Sequence, residues 1–104
     1  MEKIVDIKRD FEKLNSDAQW LKAIANPIRL CILKGLSKKG TCNVSYMQEC
    51  LDIPQSTLSQ NIQILKSQGI IKGKRDGNAI YYTIVDERVK DLLNIFDKGE
   101  NSVE

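Results

Sequence analysis

The sequence predicts a mainly α-helical domain carrying one small β-hairpin, and three observations predict it. Apolar residues recur at helical spacing over most of the chain, two short helices are separated by a tight turn, and one Asp-Gly dipeptide precedes a segment rich in β-branched and aromatic residues. With 104 residues and 41% hydrophobic content the chain is large enough for one core and too short for two. A single domain over residues 1–98 and a polar, frayed tail over 99–104 are expected.

Ile4, Ile7, Phe11 and Leu14 share one stripe of an amphipathic first helix. A break is expected at Asn15-Ser16-Asp17, because Ser16 and Gln19 have capping-box spacing, with a new segment running through Trp20 and Ile24. Asn26-Pro27 supplies an N-cap and a first-turn proline to a second helix, which turns Leu30, Leu33 and Leu36 inward and ends at Lys38-Lys39-Gly40. Thr41 to Val44 reads as a short strand, and Ser45 with Gln48 forms another capping-box pair opening a short helix through Leu51. Pro54 opens the helix over 54–68, in which Leu58, Ile62 and Leu65 face inward and which Gly69 closes. These two helices and their turn form a helix-turn-helix candidate.

Beyond Gly69 the period shortens to two. Ile70-Ile71 leads into Lys72-Gly73-Lys74-Arg75, Asp76-Gly77 is the expected two-residue turn, and the return strand puts Ile80, Tyr82 and Ile84 on one face. Val89, Leu92, Leu93 and Phe96 mark a closing helix. A hairpin directly behind a helix-turn-helix reads as a wing, so the fold class is winged helix-turn-helix, mainly α with a small β-hairpin wing.

The net charge of +2 hides an uneven distribution. Between Asn26 and Ile84 eight basic residues oppose three acidic ones, and the flanks carry an acidic surplus of three. An anionic partner for the middle segment follows. No segment reads as a signal peptide or reaches membrane-spanning length, so a soluble, cytoplasmic protein with no membrane partner is expected. Three cysteines without a close pair, and no histidine, argue for reduced thiols and against the commonest soft-metal designs.

With the 58, 62, 65 stripe turned inward, Gln55, Ser56, Thr57, Ser59, Gln60 and Gln63 are assigned to a polar, uncharged outer face, and Asn61 of the same helix is counted with them as a candidate DNA contact. Glutamine can pair with adenine, and Ser or Thr can reach bases or phosphates and offer a methyl to thymine. Ser, Thr and Asn are poorer helix formers than the Glu and Lys of a merely solvated face, so their cluster in the N-terminal half of this helix asks for another reason. Lys66, Lys74, Arg75 and Asn78 are the candidates for neighbouring backbone contacts.

Four segments in order resemble the ArsR family of winged helix-turn-helix repressors across nearly the whole chain. Ala25-Asn26-Pro27-Ile28-Arg29-Leu30 resembles its second-helix signature and Val44 through Leu51 its first motif helix. Gln55 through Ile62 is similar to its recognition helix, and Gly69 through Tyr82 to its wing. The resemblance implies a homodimer held by the first and last helices through Ile7, Phe11, Leu14, Leu92, Leu93 and Phe96, on a pseudo-palindromic stretch of double-stranded DNA with half-sites roughly 34 Å apart. The alternative for those side chains is that they complete a monomer's core.

The departures from the family pattern are specific. Where many members carry a metal-binding Cys-Val-Cys, this chain has Asn43-Val44-Ser45. On the last helix Asp86, Glu87, Asp91 and Asp97 have no histidine beside them and are read as helix-dipole partners rather than ligands, so no metal and no cofactor is expected. Asn61 replaces a histidine frequent in the family, and the Ile53-to-Thr57 run resembles a metal-independent, PagR-like branch. Thiol-based redox regulation through Cys31 and Cys42 stays open, with Cys50 expected to pack as a small core residue.

Enzymatic function is not expected: there is no histidine, no glycine-rich phosphate loop and no Ser or Cys beside a plausible base. The competing non-enzymatic reading is a winged-helix protein-interaction module without DNA binding, and the basic wing with the uncharged helix face favours DNA over it.

Overall fold

The first helix is unbroken. In the computed structural model, which describes the backbone of residues 4–103 and the side chains of residues 8–99, α1 spans Ile4–Ile24 without interruption. The expected break at Ser16 does not occur, because a serine caps only where backbone N–H groups lack partners and inside a running helix those donors are already bonded. The Lys13–Asp17 ion pair at 2.8 Å laps across the position instead.

Asn26 caps α2, Pro27–Lys39, by accepting from the backbone N–H groups of Ile28 at 2.9 Å and Arg29 at 3.2 Å. The helix ends where Gly40, at φ 85°, returns its N–H to the Leu36 carbonyl. Ile32 joins Leu33 and Leu36 in the interior, while Leu30 is half-buried against it.

A two-residue strand, β1 at Cys42–Asn43, leads into α3 at Val44–Leu51. The cap is Asn43 and not Ser45: Asn43 Oδ1 accepts from the Tyr46 N–H at 2.9 Å, which places Ser45 inside the first turn. Gln48 reaches across the following turn and donates to the Ile53 carbonyl at 3.3 Å. Asp52 makes that turn in the left-handed region, at φ 53°.

Pro54 is the N-cap of α4, Gln55–Ser67. Its C-terminus is a Schellman motif, with the Gly69 N–H on the Lys66 carbonyl at 2.9 Å and the Ile70 N–H on the Leu65 carbonyl at 3.1 Å. Leu65 and Ile70, the two residues this motif brings together, are fully buried.

Strands β2 (Ile71–Asp76) and β3 (Ala79–Ile84) form the hairpin, and β1 adds to the other side of β3 in an antiparallel sheet of order β1-β3-β2. Because Asp76 pairs with Ala79, the turn residues are Gly77-Asn78, one position later than expected. Gly77 has φ 65° and Asn78 has no positive φ, so the glycine supplies the left-handed first position of a II′ turn. The predicted alternation holds, with Tyr82 buried and Ile80 and Ile84 half-buried.

All of these elements meet in one core: Trp20, Ala23 and Ile24 from α1, the α2 trio, Met47, the α4 stripe of Leu58, Ile62 and Leu65, then Ile70, Ile71, Tyr82 and Val89. Cys42 is buried there too. Cys50 is exposed, contrary to expectation, because α3 turns Met47 and Leu51 to the core and leaves Cys50 outside that stripe.

Asp86 opens α5, Glu87–Val103, by accepting from the Arg88 backbone N–H at 3.0 Å. The helical backbone continues through residues 99–103, the segment assigned to a tail. Leu92 and Leu93 pack partly on the core, but Phe11, Leu14, Ile95 and Phe96 are 71, 61, 61 and 51% exposed. The Ile7 side chain lies outside the described residues. A radius of gyration of 16.4 Å, against about 13 Å for a compact chain of this length, reflects helices that extend past their own core.

Candidate nucleic-acid interface

The helix α4 is oriented from behind. Leu58, Ile62 and Leu65 seat it in the core, and Asn61, between them on the same stripe, is also buried. The Asn61 amide nitrogen donates to the Thr57 carbonyl at 2.8 Å, and its oxygen accepts from Arg29 Nη1 at 2.7 Å. Arg29 also donates through Nε to the Ala23 carbonyl and through Nη2 to the Lys22 carbonyl at 3.4 Å. One guanidinium on α2 therefore ties the end of α1 to α4.

This placement corrects one assignment. Asn61 is turned inward with its amide committed to internal partners, so it does not join the outer face as a DNA contact. Gln55, Ser56, Ser59, Gln60 and Gln63 are exposed and Thr57 is half-buried. None of these six is charged. Pro54 makes no side-chain cap, so the first-turn N–H groups of α4 are left for an outside acceptor such as a phosphate oxygen. Lys66 is exposed in the last turn.

On the wing, Lys74 pairs across the ladder with Tyr81 and Arg75 with Ile80. Cross-strand partners share a face, so the two cations project from opposite faces of the hairpin near its tip. Asn78 is exposed in the turn itself. A shallow groove lined by Thr41, Lys74, Arg75, Asp76, Tyr81 and Thr83 runs beside them. Thr83 Oγ1 donates to the Gly40 carbonyl at 2.8 Å and fixes the wing to the end of α2. Thr41, Tyr81 and Thr83 were not singled out from sequence; the signal lay in the pairing of β1 with β3, which two residues are too few to announce.

The junction of α1, wing and α5 is polar and tight. Trp20 Nε1–H donates to Asp86 Oδ2 at 2.8 Å, Arg88 Nη2 lies 2.7 Å from the same oxygen, and the Arg88 guanidinium stacks 4.4 Å from the Trp20 ring centre. These donors, Arg88 first, hold the Asp86 carboxyl down to about 2. Asp86 thus serves as a helix cap and strut. Among the described residues no group of three or more His, Cys, Asp or Glu is placed to hold a metal. Asn43, which stands at the first position of the family's Cys-Val-Cys pattern, is occupied as a helix cap. The three thiols are unbridged, and burial pushes the Cys42 thiol up, away from the reactive thiolate form.

Comparison with known proteins places this arrangement. Residues 24–74 match a helix-turn-helix domain family. The chain is 39% identical to a helix-turn-helix transcriptional regulator of Methanocaldococcus jannaschii, over 84% of this chain and 98% of that relative. It superimposes on the transcriptional repressor PagR of Bacillus anthracis with a TM-score of 0.74 at 34% identity, covering 83% of this chain and 98% of that one. A homodimeric winged helix-turn-helix DNA-binding domain from Mycobacterium bovis, described as a possible ArsR-family regulator, gives a TM-score of 0.77 at 32% identity over 89% of this chain and 85% of its own. The chain belongs to the ArsR family of winged helix-turn-helix transcriptional repressors, a class of regulators and not of enzymes.

Proposed function

We propose that the protein is a homodimeric repressor that reads a pseudo-palindromic operator with α4 and braces it with the wing, without a metal effector. The observation that carries this reading is the surface of α4: five exposed amide and hydroxyl side chains from Gln55 to Gln63, free of charge, lie between an uncapped helix start and Lys66, with Lys74 and Arg75 on the adjoining wing. Uncharged side chains with paired donors and acceptors suit base edges, and cations suit phosphates. The exposed stripe of Phe11 and Leu14 on α1, with Ile95 and Phe96 on α5, is too apolar to face water without a partner, and a second copy meets it with the same stripe. The Mycobacterium bovis neighbour, homodimeric by its own description, supports that assembly. A DNA-binding regulator of this kind works in the cytoplasm, and no described helix is long and apolar enough to cross a membrane.

A mobility-shift titration on the promoter upstream of the protein's own gene tests the reading. The expected result is a dimer that shifts this fragment at concentrations leaving random duplex free, with unchanged affinity when zinc, arsenite, oxidant or reductant is added. A protein that stays monomeric and prefers no duplex sequence at low salt would overturn it.

A further inference from the structure

We propose that the cavity between α2 and α3 is an effector site for a small amphipathic carboxylate, with an apolar body inside and its anionic head among lysines. The cavity holds about 270 Å³, just below the roughly 300–1,000 Å³ of drug-sized sites, which suits a single alkyl chain or one ring. Leu36, Met47 and Leu51 give it apolar walls. Lys34, Lys38 and Lys39 also line it and no carboxylate does, so its charge is of one sign. Lys39 is held at the rim, its Nζ 4.7 Å above the Tyr46 ring.

Gly35 is the second observation. It stands in the middle of α2, where glycine disfavours the helix relative to almost any other residue. No close packing explains it: its φ is not positive, and a Cβ built there would meet no atom within 4 Å. Gly35 lines the cavity. A side chain at this position would take up space that the glycine leaves open.

The position of the cavity gives an occupant a route to the DNA-reading elements. Its walls come from α2, α3 and β1; α3 packs on α4, and Cys42 of β1 pairs with Tyr82 in the wing. A ligand that spreads α3 from α2 displaces α4 relative to the wing. Operator binding and ligand binding then oppose each other by the same factor. This coupling rests on the DNA reading; occupancy of the cavity does not.

Decanoate is the probe, titrated calorimetrically into the full chain without DNA, with decyltrimethylammonium as a control of equal length and opposite charge. The expected results are saturable binding of one decanoate per protomer, none of the cation, weaker binding by Lys39→Gln, and none by Gly35→Leu at an undiminished melting temperature. Saturating decanoate is expected to weaken operator binding about tenfold in the parent protein, within the usual range of coupling, and to leave Gly35→Leu unaffected. Absent or non-saturable binding, equal binding of the cation, full binding by Gly35→Leu, or unchanged operator affinity in the decanoate-saturated protein would each overturn the proposal. A protein that takes up decanoate as expected but binds no duplex upholds the cavity's occupancy and defeats the DNA reading instead.

Discussion

Arg29 Nη1 on α2 lies 2.7 Å from Asn61 Oδ1 on α4, and the same guanidinium reaches the carbonyls of Lys22 and Ala23 at the end of α1. The family signature around Asn26-Pro27 thus sets the pose of α4, the helix proposed to read the operator. Asn61→Ala removes the acceptor and leaves an arginine N–H unsatisfied in a half-buried place. The expected cost is about 1–3 kcal/mol of folding stability, read as a lower urea midpoint at unchanged m-value. Gln60→Ala, on the exposed face, is expected to stay within about 0.5 kcal/mol in stability yet lose about 1–3 kcal/mol of discrimination between operator and random duplex. The reverse pattern would exchange the roles assigned to these neighbours.

Lys74→Ala and Arg75→Ala are each expected to weaken binding to every duplex alike. Each should also reduce the slope of log affinity against log salt by about 1, as loss of one phosphate contact does. Fluorescence anisotropy across a salt series measures both quantities. A change confined to the operator would instead assign base reading to the wing.

Phe11→Ala and Phe96→Ala truncate side chains that are 71 and 51% exposed in the single chain. A residue needed only for the monomer's core would not sit there, so the expected effect is on assembly: sedimentation velocity should show dissociation at concentrations where the parent is dimeric, with operator affinity falling in parallel. Unchanged assembly in both variants would move the interface elsewhere.

Gly73 sits opposite Tyr82 in the hairpin, and a Cβ there would lie 2.8 Å from the Tyr82 ring and 2.9 Å from Ile80 Cγ2. The Tyr82 ring is buried and cannot swing away. Gly73→Ala should therefore cost about 1–3 kcal/mol, the usual penalty of overpacking. Thermal melting gives the magnitude, and a neutral result would mean that the wing yields freely at this point.

Asp86 gives the fold an acid dependence of known sign. Its folded value of about 2 lies below the unfolded value of about 3.9, so its contribution is complete above about pH 5 and is lost as pH falls through 4 toward 2. The expected loss is about 1 kcal/mol, allowing for solvent screening. Asp86→Asn should be less stable than the parent at pH 7 and converge with it near pH 2. Urea midpoints at both pH values test this, and parallel curves would contradict it.

The sequence revealed most where burial repeats. Leu58, Ile62 and Leu65 announced the inward stripe of α4, and all three are buried. Asn61 lies on that same stripe, three residues after Leu58 and four before Leu65, so its spacing placed it inward while its polarity suggested the opposite. Only its partner, Arg29, more than thirty positions away in sequence, resolves the conflict. Capping-box spacing was the weakest guide, although the Asn26 cap was read correctly. Ser16 and Ser45 both had the right spacing, but capping depends on which N–H groups are left unbonded, and that is decided by where the helix already runs. The hairpin turn moved by one position for a similar reason: Gly77 is comfortable at the first central site of one turn type and the second of another. On the outer face, Gln55, Ser56, Ser59, Gln60 and Gln63 were legible because the inward stripe fixed where they had to point, whereas the groove at Thr41, Tyr81 and Thr83 needed the third strand.

The unbroken α1 joins two tasks in a single rod. Its twenty-one residues, about 32 Å at 1.5 Å each, carry Phe11 and Leu14 along the middle and Trp20, Ala23 and Ile24 in the C-terminal part. With no hinge between them, a chain that loses its companion keeps a long, half-wetted rod fixed to its interior. If the proposed dimer holds this stripe, dilution should consequently release the operator, making the cellular abundance of this protein a control on its own activity.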